Sequence, residues 1–231
     1  MATGDSSVQV GPVPFKDVED DGDMVTALPE RPSEEHVGLV SALPCCTIAD
    51  MKLRCYQGFW LREGLVPAAA ALQRRFEPRP SDVIVASLPK CGTTWLVALA
   101  FATLARRAYP PGAADHPLRR LNPHQCLPFL EGLFAGGREG KLDALVGLPF
   151  SAAEEEGGVV GGIVELCSLD SLRGMEANKA GYVDPRIKFP REALFRKGVA
   201  DDWKSHMTPE MARRMDGVAA DKLRATGLAF P

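Results

Sequence analysis

The chain has 231 residues, 45% hydrophobic and 25% charged, enough apolar matter for one substantial core and too little length for two independent catalytic domains. No run approaches the roughly 18 to 20 apolar residues of a membrane span, and no basic-plus-apolar signal region opens the chain, so a cytoplasmic protein without a membrane partner is expected. The net charge of -3 is uneven: residues 1–43 carry nine Asp or Glu against Lys16 and Arg31, which leaves +4 for the remainder. That excess suits a small anionic ligand and falls well short of a nucleic-acid footprint.

Taken in chain order, residues 1–43 are acidic and rich in Gly, Ser and Pro, and are expected to be largely disordered, with one domain over 44–231. The cysteines at 45, 46, 55, 91, 126 and 167 show no C-x-x-C spacing, which points to a reducing compartment with buried thiols and to neither a metal nor a disulfide framework. Arg54 to Trp60 (R-C-Y-Q-G-F-W) is an aromatic cluster whose Tyr56, Phe59 and Trp60 belong either to a core or to a pocket mouth. A short helix is predicted over Val66–Phe76, stopped by Pro78 and Pro80.

Residues Asp82 to Trp95 (D-V-I-V-A-S-L-P-K-C-G-T-T-W) carry the most information. Val83, Ile84, Val85 and Ala86 form a continuous apolar run of the kind buried on both faces of a parallel sheet. A tight turn then feeds directly into a helix. Gly92 lets the backbone approach a ligand, Thr93 and Thr94 offer hydroxyls, and the first N–H groups of the helix point at whatever anion sits there. Lys90 adds a mobile point charge, and Trp95 a flat face for a purine. The lysine precedes the glycine by two positions, so the G-x-x-x-x-G-K-[ST] loop of nucleotide triphosphatases does not fit. The thiol of Cys91, at a helix start beside a lysine, is expected to be the most reactive to alkylation.

Leu96, Leu99, Ala100, Thr103 and Leu104 are read as the inward face of that helix. Prolines through 110–128 argue against a long element there, and His124 is either a polar group of a ligand pocket or a satisfied loop histidine. Ser151 with Glu154 spells a capping box, and Gly157, Gly158, Gly161 and Gly162 weaken the helix it opens. In the last helix Thr208 is the N-cap, Pro209 the first helical residue, Met211, Met215 and Val218 one face, and Gly227 the exit. Just before it, Arg196, Lys197 and Gly198 offer a guanidinium fork, an ammonium and an unhindered N–H to one phosphate.

Together, Y-Q-G-F-W at 56–60, P-K-C-G-T-T-W at 89–95, N-P-H-x-x-x-P-F at 122–129 and F-R-K-G-x-x-x-D-W-K-x-x-M-T at 195–208 resemble the cytosolic sulfotransferases in their plant form. The resemblance implies an α/β, P-loop-like sulfotransferase fold, a parallel sheet flanked by helices, here with a truncated sheet. It also implies transfer of a sulfuryl group from 3′-phosphoadenylyl sulfate (PAPS) to a hydroxyl of a small flavonoid, steroid or hormone-like acceptor. Under it, Lys90, Cys91, Gly92, Thr93 and Thr94 bind the 5′-phosphosulfate, with Lys90 catalytic, and Trp95 packs on the adenine. Cys167 and Ser168 stand near the adenine, and Arg196, Lys197 and Gly198 hold the 3′-phosphate.

The chain departs from the family at its centre. It has no T-H-x-P segment, which supplies the general base, and no Arg-Asp-Pro-x-Asp segment, which grips the 3′-phosphate. A block of roughly 90 to 100 family positions is missing at a junction near 148–154, where no second strand of buried type follows the first. The alternative reading is a catalytically inactive derivative that binds only PAPS, its product 3′-phosphoadenosine 5′-phosphate (PAP), or a homologous partner.

Overall fold

The computed structural model describes residues 13–18, 34–48, 51–79, 82–87, 91–127, 129–135, 151–184 and 188–227. They fall into two units, Met1–Phe195 and Arg196–Pro231. In chain order the first unit holds α1 (Phe15–Val18), α2 (Glu34–Ala42), β1 (Cys45–Ile48), β2 (Met51–Tyr56), β3 (Phe59–Arg62), α3 (Leu65–Arg75) and α4 (Thr93–Ala105). It continues with α5 (Pro123–Cys126), α6 (Leu130–Ala135), α7 (Ala152–Glu156), α8 (Val159–Leu166), α9 (Leu169–Gly174), α10 (Glu176–Lys179), β4 (Tyr182–Asp184) and β5 (Phe189–Pro190).

Helices and strands mix, but every described strand pair is antiparallel: β1-β2-β3 form a meander and β4-β5 a two-stranded ribbon. The β2-β3 turn closes on Gln57 and Gly58, both at positive φ (50° and 80°), the conformation of a two-residue hairpin loop whose twist matches its strands. Val83 to Ser87, expected as a strand buried on both faces, forms no strand and is exposed, Val83 at 64% and Ile84 at 53%. A parallel strand needs neighbours on both sides to satisfy its N–H and C=O groups, and no described segment supplies them.

Within the acidic stretch expected as largely disordered, two helices are described. α1 is anchored because Phe15 is buried with Ala71, Leu133 and Phe134, and because the Arg120 guanidinium donates to the Asp17 carboxylate, 3.0 Å from Nη1 to Oδ1. α2 is fixed by His36, buried 2.7 Å from Arg74 of α3. Average composition does not register such single anchors.

α4 is the axis of the main core. Ala98, Phe101, Ala102 and Ala105 pack with Leu118, Leu121, Cys126, Ile163, Leu166, Cys167 and Leu172. The inward face is therefore rotated from the expected one: Leu96, Leu99, Ala100, Thr103 and Leu104 are only half-buried. α4 is apolar nearly all round, so its periodicity does not choose a face, and the small alanines win because they let neighbouring backbones come close. The core reading of the aromatic cluster does not hold, since Phe59 and Trp60 lie half exposed on the hairpin.

The Ser151 capping box forms, with the Glu154 carboxylate accepting from Ser151 N at 2.8 Å. The glycines do more than weaken the helix. Gly158 takes φ +75° and splits it into α7 and α8.

The second unit carries α11 (Pro209–Leu223), capped by Thr208, whose hydroxyl accepts from Met211 N at 3.2 Å. Met211, Met215 and Val218 do share one face, and it is exposed.

Candidate functional site

Ahead of α4 the described residues resume at Cys91, after 88–90, which lie outside them. Gly92 is the N-cap at φ +86°, a conformation strained for any residue with a Cβ, and an added Cβ would meet nothing within 4 Å. Among the described residues no side chain caps this helix start. The N–H groups of Thr93, Thr94 and Trp95 lie in the first turn, where a helix has no internal acceptors for them. The dipole there favours an anion. The Thr93 and Ser87 hydroxyls are hydrogen-bonded to each other. Cys91 is exposed and Trp95 half exposed. Lys90 lies outside the described residues.

Thr94 is buried, and its Oγ1 lies 3.0 Å from Nε2 of His124. This contact was not legible in the spacing, because 30 residues separate the two. His124 sits in the first turn of α5, held by a second capping box in which Asn122 accepts from His124 N at 3.1 Å and Gln125 accepts from Asn122 N at 3.0 Å. The N-P-x-Q spelling at 122–125 was a signal for that box. The imidazole stacks on Phe129, centroids 4.7 Å apart. Burial pushes its pKa down to about 4, so the ring is neutral at pH 7.

A chain of buried polar groups continues behind it. Asn122 Nδ2 donates to Asn178 Oδ1 at 2.7 Å, and Asn178 Nδ2 donates to Leu172 O of α9 at 2.8 Å. The hydroxyl of Ser168 caps α9, accepting from Ser171 N at 3.2 Å. Cys167 is fully buried in the α4 core, where burial pushes its thiol up to about 12.

In the second unit, Arg196, Lys197 and His206 converge on Asp202. Lys197 Nζ is 2.9 Å from Asp202 Oδ1, Arg196 pairs with Oδ2, and Arg196 Nη1 lies 3.2 Å from His206 Nε2. The Lys197 hydrogen bond leads the effects that hold the Asp202 carboxyl below the usual range. Gly198 has φ +64° and is exposed. Among the described residues no His, Cys, Asp and Glu cluster could hold a metal, and no helix is long and apolar enough to cross a membrane.

Gly92 at positive φ, with Thr93 and Thr94 after it, opens a helix whose inner face is buried in the core. The sulfotransferase domain family matches residues 80–144 and again 140–227, well over half the chain, and the chain belongs to that family. Among curated relatives, Cytosolic sulfotransferase 5 of Arabidopsis thaliana is 27% identical over 315 aligned residues, covering 86% of this chain and 97% of that protein. Cytosolic sulfotransferase 8 of the same plant is 27% identical over 312, covering 85% and 93%. A solved Arabidopsis thaliana structure, described as a candidate steroid sulphotransferase, has a TM-score of 0.49 and 20% identity, covering 89% of this chain and all of that one.

The alignment to the first relative is longer than this chain. Since 86% of 231 residues is about 199, about 116 of the 315 aligned positions have no residue in this chain. The two family matches meet at 140–144, a few residues ahead of the 148–154 junction read from the sequence, in a stretch outside the described residues.

Proposed function

We propose that this chain takes PAPS as its sulfuryl donor at the start of α4 and passes the group to a hydroxyl of a small-molecule acceptor. The observation that carries the reading is the left-handed Gly92 opening α4, with open space where a Cβ would stand and no side-chain cap, next to Thr93 and Thr94. PAPS supplies an activated sulfuryl group whose charge, as it transfers, spreads over peripheral oxygens. The first-turn N–H groups and the Lys90 ammonium are the groups to stabilise that charge. Trp95, half exposed in the first turn of α4, offers the adenine a stacking face. Contact from the next segment falls to Ser168, because the Cys167 side chain is enclosed in the core. Arg196, Lys197 and Gly198 are assigned the 3′-phosphate, for which Asp202 already occupies the two cations as an internal competitor. The names of the relatives support a cytosolic setting.

A second reading, donor binding without turnover, is favoured by one observation: the chain has no T-H-x-P segment. Loss of a general base alone lowers rates by about a hundredfold to ten-thousandfold. The deciding experiment titrates PAP and then assays PAPS with a panel of phenols. Binding with turnover supports sulfuryl transfer, and binding without turnover supports the second reading. Lys90→Ala is expected to weaken PAP by roughly tenfold or more, the worth of a charge-assisted hydrogen bond. Unchanged affinity would exclude the α4 turn as the donor site.

A further inference from the structure

We infer that His124 is a positioning residue: its Nε2–H donates to Thr94 Oγ1 and so turns the Thr94 hydroxyl proton toward the anion at the first turn of α4. The inference rests on the proposed function above and names a residue that reading does not use. The geometry has three parts. Thr94 Oγ1 and His124 Nε2 are 3.0 Å apart in a buried contact. The other ring nitrogen, Nδ1, is buried with no hydrogen-bond partner among the described residues. The ring itself is fixed by the stack on Phe129 and by the run from His124 N through Asn122 and Asn178 to Leu172 O.

These parts decide which atom donates. A neutral imidazole carries one ring proton. Placed on Nδ1, that proton would be a buried donor with no acceptor, a costly arrangement. Placed on Nε2, it finds the Thr94 oxygen. A hydroxyl that has accepted one hydrogen bond there still holds its own proton, and a first-turn hydroxyl with a donor to spare is what a phosphate or sulfate oxygen requires. The opposite tautomer would have Thr94 give its proton to the ring and present only lone pairs to an anion. Burial agrees with the first arrangement, since it keeps the ring uncharged.

The test reads the tautomer and the binding separately. In protein labelled with ¹⁵N-histidine, long-range proton–nitrogen correlations at pH 7 are expected to show His124, assigned by its loss in His124→Gln, as the neutral Nε2–H form. An Nδ1–H or charged ring overturns the inference whether or not any ligand binds. In PAP titrations, His124→Leu is expected to raise Kd by roughly tenfold, and His124→Gln, whose amide places an N–H near the lost one, to return it to within about threefold of the starting value. Thr94→Val should match His124→Leu, and the double variant should lose little more than either, as expected of two groups acting through one bond. Wild-type affinity in His124→Leu, or additive losses, overturns the assignment. A wild-type chain that takes no PAP overturns the proposed function, and the tautomer then still decides the role of His124.

Discussion

At the scale of single residues, the α4 turn joins two positions whose chemistry differs from what their neighbours would suggest. Cys91 is exposed just ahead of α4, as is Cys45 on β1, whereas Cys126 and Cys167 are enclosed. A bound nucleotide would cover the first thiol and leave the second open. Alkylation followed by mass spectrometry should therefore show PAP slowing modification of Cys91 several-fold without changing Cys45, and equal protection of both would place the ligand elsewhere. Gly92 makes the complementary case. Its φ of +86° strains any side chain, although an added methyl meets open space. Gly92→Ala is expected to cost about 1 to 2 kcal/mol of stability in thermal unfolding, from backbone strain alone. Its larger effect should be on PAP affinity, because the methyl projects into the space an anion would use.

Among elements, short helices are placed by their caps, and caps respond to pH. Glu154 accepts from Ser151 N and from the Arg106 guanidinium, 3.0 Å from Nε to Oε1, so its pKa is pulled down from 4.5 to about 2, chiefly by the Ser151 backbone bond. A carboxyl lowered by folding contributes stability that is full above about pH 4.5 and is lost as pH falls toward 2. His116 and His124 are also lowered, from 6.5 to about 4, chiefly by burial, and their contribution fades between those values. Urea unfolding from pH 7 to 2 should thus show two successive losses, with Glu154→Gln shrinking only the lower one, to which the lowered Asp202 carboxyl also contributes. Ser151→Ala should lower stability by about 1 kcal/mol at neutral pH, the usual worth of an N-cap. The caps are also where the sequence spoke most clearly, because an Oγ or carboxylate three residues from the N–H it satisfies is a local fact. Ser151 with Glu154, and Thr208 before Pro209, could be read directly. The inward face of α4 could not, because apolar residues surround the helix, and the packing that chose Ala98, Ala102 and Ala105 comes from residues as far along the chain as Leu172 and Phe195. For the same reason His124 stayed ambiguous, since its partner Thr94 is named only by tertiary structure.

At the scale of the whole molecule, the absence of about 116 aligned positions decides which of the family's signatures keep their physical role. A phosphate turn needs only its own backbone and the helix it opens, and that helix is secured by Phe101, Ala102 and Ala105 in the core. A buried parallel strand needs partners from other segments, and Val83, Ile84 and Val85 are left facing solvent. The same apolar spelling that would mark a sheet interior elsewhere therefore carries little stability here. Two substitutions separate the cases. Ile84→Lys places a charge on a half-exposed position and is expected to change the free energy of unfolding by less than about 0.5 kcal/mol, as surface changes do. Phe101→Ala empties the middle of the α4 core, where the ring is fully buried, and should cost about 3 to 5 kcal/mol, a large share of the roughly 5 to 15 kcal/mol of an ordinary domain. If instead Ile84→Lys proved as damaging as Phe101→Ala, the segment before the turn would have to be buried within a sheet, and the anion site would rest on a strand as well as on its helix.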